Sequence, residues 1–156
     1  MEKKKIIMAV EGQKSEMMAA IRIRGINEIR KEVENTLQLF RLYRKNFCVV
    51  LENNDVIIGM LKQAKDYITW GEIDDATFKE MVAKRGEEYT GRLSDSKELY
   101  KYNEFVEING KKIKKYFRLN APRKGYGKKG IKNTFNKGGA LGYRGTAIND
   151  LIKRML

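Results

Sequence analysis

Between Ile108 and Gly145 the chain carries twelve basic residues and no aspartate or glutamate. They are Lys111, Lys112, Lys114, Lys115, Arg118, Arg123, Lys124, Lys128, Lys129, Lys132, Lys137 and Arg144. Side chains of this type neutralise phosphates and release the counterions condensed on a polyanion. The residues between them suit that chemistry. Seven glycines fall within residues 123–145 and let the backbone approach a phosphate and adopt positive φ. Tyr126, Phe135 and Tyr143 are interleaved, with Tyr126 and Tyr143 the candidates for stacking on unpaired bases. The bland alternative is a solvated, flexible tail. It is disfavoured because an amphipathic segment with Ile148, Leu151, Ile152 and Met155 follows, spaced to dock on a core.

The stretch accounts for nearly all of the formal net charge of +13. Of the 33 basic residues, the 21 outside it are balanced by 20 acids. A nearly neutral scaffold therefore presents one strongly basic segment, which predicts a polyanionic partner, either nucleic acid or an anionic membrane surface. Membrane binding of this kind usually needs an amphipathic helix, which glycines at this density oppose. No membrane partner and no homo-oligomer is expected. Arg22 and Arg24, alternating with Ile21 and Ile23, are placed on the open face of a strand as further phosphate contacts. Arg41, Arg44 and Lys45 are also basic, but a position at the end of a helix already accounts for them.

Catalytic chemistry has few actors. There is no histidine, and Cys48 is the single cysteine, so a Cys/His zinc site and an intrachain disulfide are excluded. Cys48 lies within Phe47–Leu51 and reads as an inert core thiol in a reducing compartment. Gly125-Tyr126-Gly127-Lys128-Lys129-Gly130 faintly suggests a phosphate loop, the basis of the alternative reading as an enzyme acting on RNA or nucleotides. It lacks the spacing of a Walker loop and the Ser or Thr that would hold Mg²⁺. Glu72, Asp74 and Asp75 are better explained as the acidic start of a helix than as metal ligands. No cofactor, metal or catalytic residue is expected.

The elements that must position these residues can be read from hydrophobic period and punctuation. Met18–Arg24 alternates as a strand. Arg30–Arg44 is helical, with Val33, Leu37 and Phe40 on one face and Asn46 as its stop. Phe47–Leu51 is an apolar strand. Asn53-Asn54-Asp55 caps a second helix, Val56–Lys65, and Tyr67–Trp70 is a strand ended by Gly71, with Trp70 in the core. Residues 17–71 thus read β-α-β-α-β. A helix follows, capped by Asp74 or Asp75 and closed by Gly86. A weaker helix covers Asp95–Tyr102. Asn109-Gly110 marks a hairpin after Phe105–Ile108, and Pro122 closes the strand Tyr116–Leu119. A helix spans Thr146–Met155. A short strand at Ile6–Val10 is the only element suggested near the start. That apolar run is short for a signal peptide, and no run reaches the roughly 20 residues that span a bilayer, so the expected setting is cytoplasmic.

Several of these segments resemble, in order, the large-subunit ribosomal protein family L-thirty, whose eukaryotic counterpart is L-seven. Ala20-Ile21-Arg22-Ile23-Arg24-Gly25 is similar to the family's opening strand, and Glu34-Asn35-Thr36-Leu37 through Leu42 to Asn46 is similar to its first helix and turn. Gly59-Met60-Leu61-Lys62 through Ile68-Thr69-Trp70-Gly71-Glu72-Ile73 is similar to its second helix and third strand. Phe117-Arg118-Leu119, Pro122-Arg123-Lys124-Gly125 and Gly138-Gly139-Ala140-Leu141-Gly142-Tyr143-Arg144-Gly145 resemble the long form found in archaea and eukaryotes. Ala121 stands where the family usually has the first of two prolines. The resemblance implies an α+β fold: a small three-stranded sheet with two helices, similar to a ferredoxin-like fold. A helical and basic Gly-rich C-terminal extension follows. The corresponding division is a lead-in at 1–16, a core at 17–73 and an extension at 74–156. The resemblance further implies a structural constituent of the large ribosomal subunit that binds large-subunit rRNA and approaches 5S rRNA and neighbouring ribosomal proteins.

Overall fold

The computed structural model describes residues 17–156. The strand suggested at Ile6–Val10 lies outside the described residues. The first five elements follow the expected order: β1 (Met17–Arg22), α1 (Lys31–Leu39), β2 (Phe47–Glu52), α2 (Asp55–Gln63) and β3 (Ile68–Glu72). β1 pairs antiparallel with both β2 and β3, so β2 and β3 run the same way on either side of it. Then come α3 (Asp75–Arg85), the hairpin β4 (Phe105–Ile108) and β5 (Lys111–Lys114), and β6 (Tyr116–Arg118). A 3-10 turn at Phe135–Lys137, β7 (Gly142–Tyr143) and α4 (Ala147–Met155) complete the chain.

The sheet has five strands, not three, in the order β6-β2-β1-β3-β7. Its outer strands come from the second half of the chain. β6 pairs antiparallel with β2, and β7 adds two residues parallel to β3. Both faces are covered. Met18 and Ala20 of β1 look toward Leu37, Leu42 and Leu61 on the side of α1 and α2. Ala19 and Ile21 look toward Met81 of α3 and Ile148, Leu151, Ile152 and Met155 of α4. Burial on both faces explains why β1 opens with an unbroken apolar run, since alternation marks a strand with one wet face. The expected open face carrying Arg22 and Arg24 is therefore absent, because α4 and its neighbours occupy one side and α1 and α2 the other.

Three further expectations are corrected by local chemistry. α1 ends at Leu39, well before Arg44, because Arg41 adopts φ 61° and Leu42 then donates its N–H to Leu37 O at 2.9 Å while its side chain turns into the core. Asp95–Tyr102 is not a helix. Asp95 Oδ1 accepts the Tyr100 N–H at 3.1 Å, Ser94 bridges to Lys101, and Leu99 and Tyr100 are left exposed, so a helix there would have no face to bury. Gly71 does not end a strand but lies within β3. A Cβ on Gly71 would sit 1.9 Å from the Gly145 carbonyl oxygen, so glycine is what lets the chain entering α4 lie against the sheet. The hairpin signal at Asn109-Gly110 holds, with φ 51° and 76°, but the basic residues that follow form its second strand themselves.

Candidate nucleic-acid interface

The basic segment is not a free coil. Its start is tied to α4: Asn120 N–H donates to Met155 O and Arg123 N–H to Arg154 O, each at 3.0 Å. The Arg154 guanidinium returns the contact, donating to Arg123 O at 3.0 Å and Gly125 O at 2.6 Å. Its middle folds on itself through backbone bonds, Lys129 N–H to Gly138 O at 3.1 Å and Gly139 N–H to Thr134 O at 2.9 Å. A Cβ at Gly139 would fall 2.2 Å from Asn133 O, so the glycine permits this close approach. The end is held by β7, with Thr69 Oγ1 donating to Gly142 O at 2.8 Å. With the backbone held at these points, the Arg123, Lys124, Lys128, Lys129, Lys132 and Lys137 side chains are exposed, and none forms an ion pair among the described residues. Six like charges on a tied backbone form a fixed positive surface rather than a self-repelling tail.

The remaining predicted residues divide by environment. Lys111 is exposed on the hairpin, and the Lys112 ammonium lies 5.2 Å from the centroid of the Phe105 ring. Arg118 is exposed but hydrogen-bonded to Glu87, which also accepts from Lys114 at 3.0 Å. Arg24 lies partly exposed over the Tyr67 ring, 5.0 Å from its centroid.

Arg22 and Arg144 are corrections, since both are buried. Arg22 donates from Nη1 to Leu42 O at 2.7 Å and Tyr43 O at 3.2 Å, from Nε to Arg24 O at 2.9 Å and from Nη2 to Gly25 O at 2.9 Å. It gathers the ends of β1 and α1, and burial lowers its pKa. Arg144 donates to Thr69 Oγ1 and Ala140 O, each at 2.7 Å, and burial pulls its guanidinium down to about 10. It pins the end of the basic loop to β3. Neither guanidinium is presented outward as a strand-face or loop phosphate contact would be.

The two tyrosines also differ. Tyr126 is half-buried, its hydroxyl donates to Asn46 Oδ1, Lys45 Nζ lies 5.6 Å from its ring centroid, and burial raises its pKa. It acts as an anchor between the loop and the turn before β2. Tyr143 is exposed, and its hydroxyl donates to Glu72 Oε1 at 2.5 Å, which raises its pKa.

The family described as ribosomal protein L30p/L7e matches residues 18–68. A protein of Nanoarchaeum equitans named large ribosomal subunit protein uL30 is 47% identical, the alignment covering 90% of this chain and 99% of that one. Proteins of the same name from Methanopyrus kandleri and Methanococcus vannielii are 40% and 41% identical, covering 86% and 88% of this chain and 100% and 98% of theirs. The chain belongs to the L30p/L7e ribosomal protein family. The alignments take in 86–90% of this chain, far more than the first three strands, as the likeness to the archaeal long form implied. Membership decides against the nucleotide-acting enzyme.

The anchors of the loop escaped the sequence reading. Arg154 looks like a surface helix residue paired with Asp150 four positions earlier, and Thr69 looks like any strand threonine. A signal for Arg154 was available in its placement on the last turn of a docked helix, where a long cation reaches neighbouring carbonyls.

Proposed function

We propose that this protein is a structural component of the large subunit of the cytoplasmic ribosome. Large-subunit rRNA is its principal partner, and 5S rRNA and neighbouring ribosomal proteins are further contacts. The observation that carries the reading is the acid-free basic loop, tied down at both ends and displaying Arg123, Lys124, Lys128, Lys129, Lys132 and Lys137 to solvent. These six are the principal phosphate contacts, with Lys111, Lys112 and Arg24 as a second group. Arg118 joins them when a phosphate competes with Glu87. Arg22, Arg144 and Tyr126 contribute by holding the surface in shape. The relatives' names agree with this assignment.

The test is the salt dependence of binding to a large-subunit rRNA transcript. Replacing Arg123, Lys124, Lys128 and Lys132 together with alanine should weaken binding and flatten the plot of log K against log salt by about one unit per lost phosphate contact. An unchanged slope would remove the loop from the interface.

A further inference from the structure

The basic loop carries three aromatic rings, and their surroundings separate them. Tyr126 is half-buried, with its hydroxyl bonded to Asn46 and its ring against the Lys45 ammonium. Tyr143 is exposed, but it is bonded to a carboxylate that repels phosphate, and its ring is tilted against Trp70 at 6.4 Å. Phe135 differs from both. It is 37% exposed, has no polar atom to be satisfied by water, and opens a 3-10 turn whose backbone is fixed by Phe135 N–H donating to Leu141 O at 2.7 Å. The guanidinium of Arg144 lies 4.9 Å from its ring centroid. That guanidinium is buried and has no ion-pair partner among the described residues. A cation behind an aromatic ring, in a segment without acids, supports a flat, electron-rich partner lying near a polyanionic backbone.

Resting on the rRNA-binding reading above, we infer that Phe135 is a stacking platform for one unpaired nucleobase of the bound RNA, with Arg144 as the positioning residue behind it. Lys132 and Lys137, on either side of it in sequence, supply charges for the phosphates flanking such a base. Stacking is tolerant of base identity, because every base has a π face, so the site selects an unpaired nucleotide rather than a sequence.

The experiment uses the full chain and a large-subunit rRNA transcript, with Phe135→Leu, which keeps apolar bulk without a π face, and Phe135→Trp, which extends it. Urea unfolding midpoints confirm that both variants are folded. The expected result is a loss of affinity on the order of tenfold for Phe135→Leu, with the salt slope unchanged, and wild-type or tighter binding for Phe135→Trp. The new tryptophan should also be quenched on binding. Equal affinities for wild type and Phe135→Leu would overturn the stacking role while leaving the rRNA reading intact. So would normal rRNA binding by Phe135→Leu combined with failure to enter large subunits, which would give the ring to a protein neighbour. Failure of the wild-type chain to bind the transcript would overturn both.

Discussion

Replacing Arg22 by methionine separates scaffold from interface. The substitution keeps most of the apolar stem and removes a guanidinium that donates to four backbone carbonyls, those of Arg24, Gly25, Leu42 and Tyr43. Hydrogen bonds from a charged donor contribute roughly 1.5–3 kcal/mol each in mutational series, but four bonds from one group do not add. Two effects reduce the loss. The buried charge has no carboxylate bonded to it, so its removal recovers desolvation cost, and the carbonyls nearest the surface regain water. A net destabilisation of about 3 kcal/mol results, a substantial fraction of the 5–15 kcal/mol typical of a domain. For a chain of this size it corresponds to a fall in Tm of ~6–12 °C. Thermal and urea unfolding measure it directly. The salt slope for rRNA binding, taken well below the variant's Tm, should match wild type. A variant that melts like wild type and loses about one unit of slope would show that Arg22 is a phosphate contact after all and would refute the structural role derived from its burial.

Three further outcomes are expected. Gly71→Ala should cost about 3 kcal/mol or more in urea unfolding, because its methyl collides with the Gly145 carbonyl and approaches Ile148 Cβ at 3.1 Å, which forces the start of α4 off the sheet. Burial pulls the Glu87 carboxyl upward, but hydrogen bonds from Lys114 and Arg118 outweigh it and hold its pKa below the ordinary 4.5. Its stabilising contribution is therefore present at neutral pH and lost as pH falls through and below that value. Glu87→Gln should flatten this acid dependence while costing no more than about 1 kcal/mol at pH 7, as befits a partly exposed cluster of one carboxylate and two cations. Cys48 is buried between β1 and β6, and burial pushes its thiol above the usual range, so a thiol reagent should modify it only at the rate of unfolding.

The β-α-β-α-β order of residues 17–72 is legible because each element announces itself locally. Asn54 caps α2 by accepting the Val56 N–H at 3.2 Å, and Asn109-Gly110 makes its turn by backbone preference alone. What stays hidden depends on partners far away in sequence. Arg22 alternates with isoleucines as it would on a half-wet strand, but it shares the face of Met18 and Ala20, where the turn after α1 brings the Leu42 and Tyr43 carbonyls over it, while α4, more than a hundred residues later, covers the isoleucines. β7 is two residues long and carries no periodic signal, and it exists because Arg144 and Thr69 lock the loop to β3. The basic loop is visible in its composition, whereas the distinction among its three aromatic rings depends on which atoms surround them. Arg41 in a left-handed conformation shortens α1, an outcome that helix propensity does not encode.

The placement of α4 bears on how such a chain is made. Synthesis delivers β1, β2 and β3 first, with Ala19, Ile21, Ile23 and Ile73 forming an apolar surface that α4 covers in the finished protein. During translation α3 can cover only part of that surface until α4 has emerged, and the long basic loop emerges just before it. A nascent chain at that stage combines a sticky sheet with a strong positive charge, a pairing that favours adhesion to other chains and to stray RNA. Docking α4 ends both hazards together, since the helix that closes the sheet also carries Arg154, which fixes the start of the basic loop.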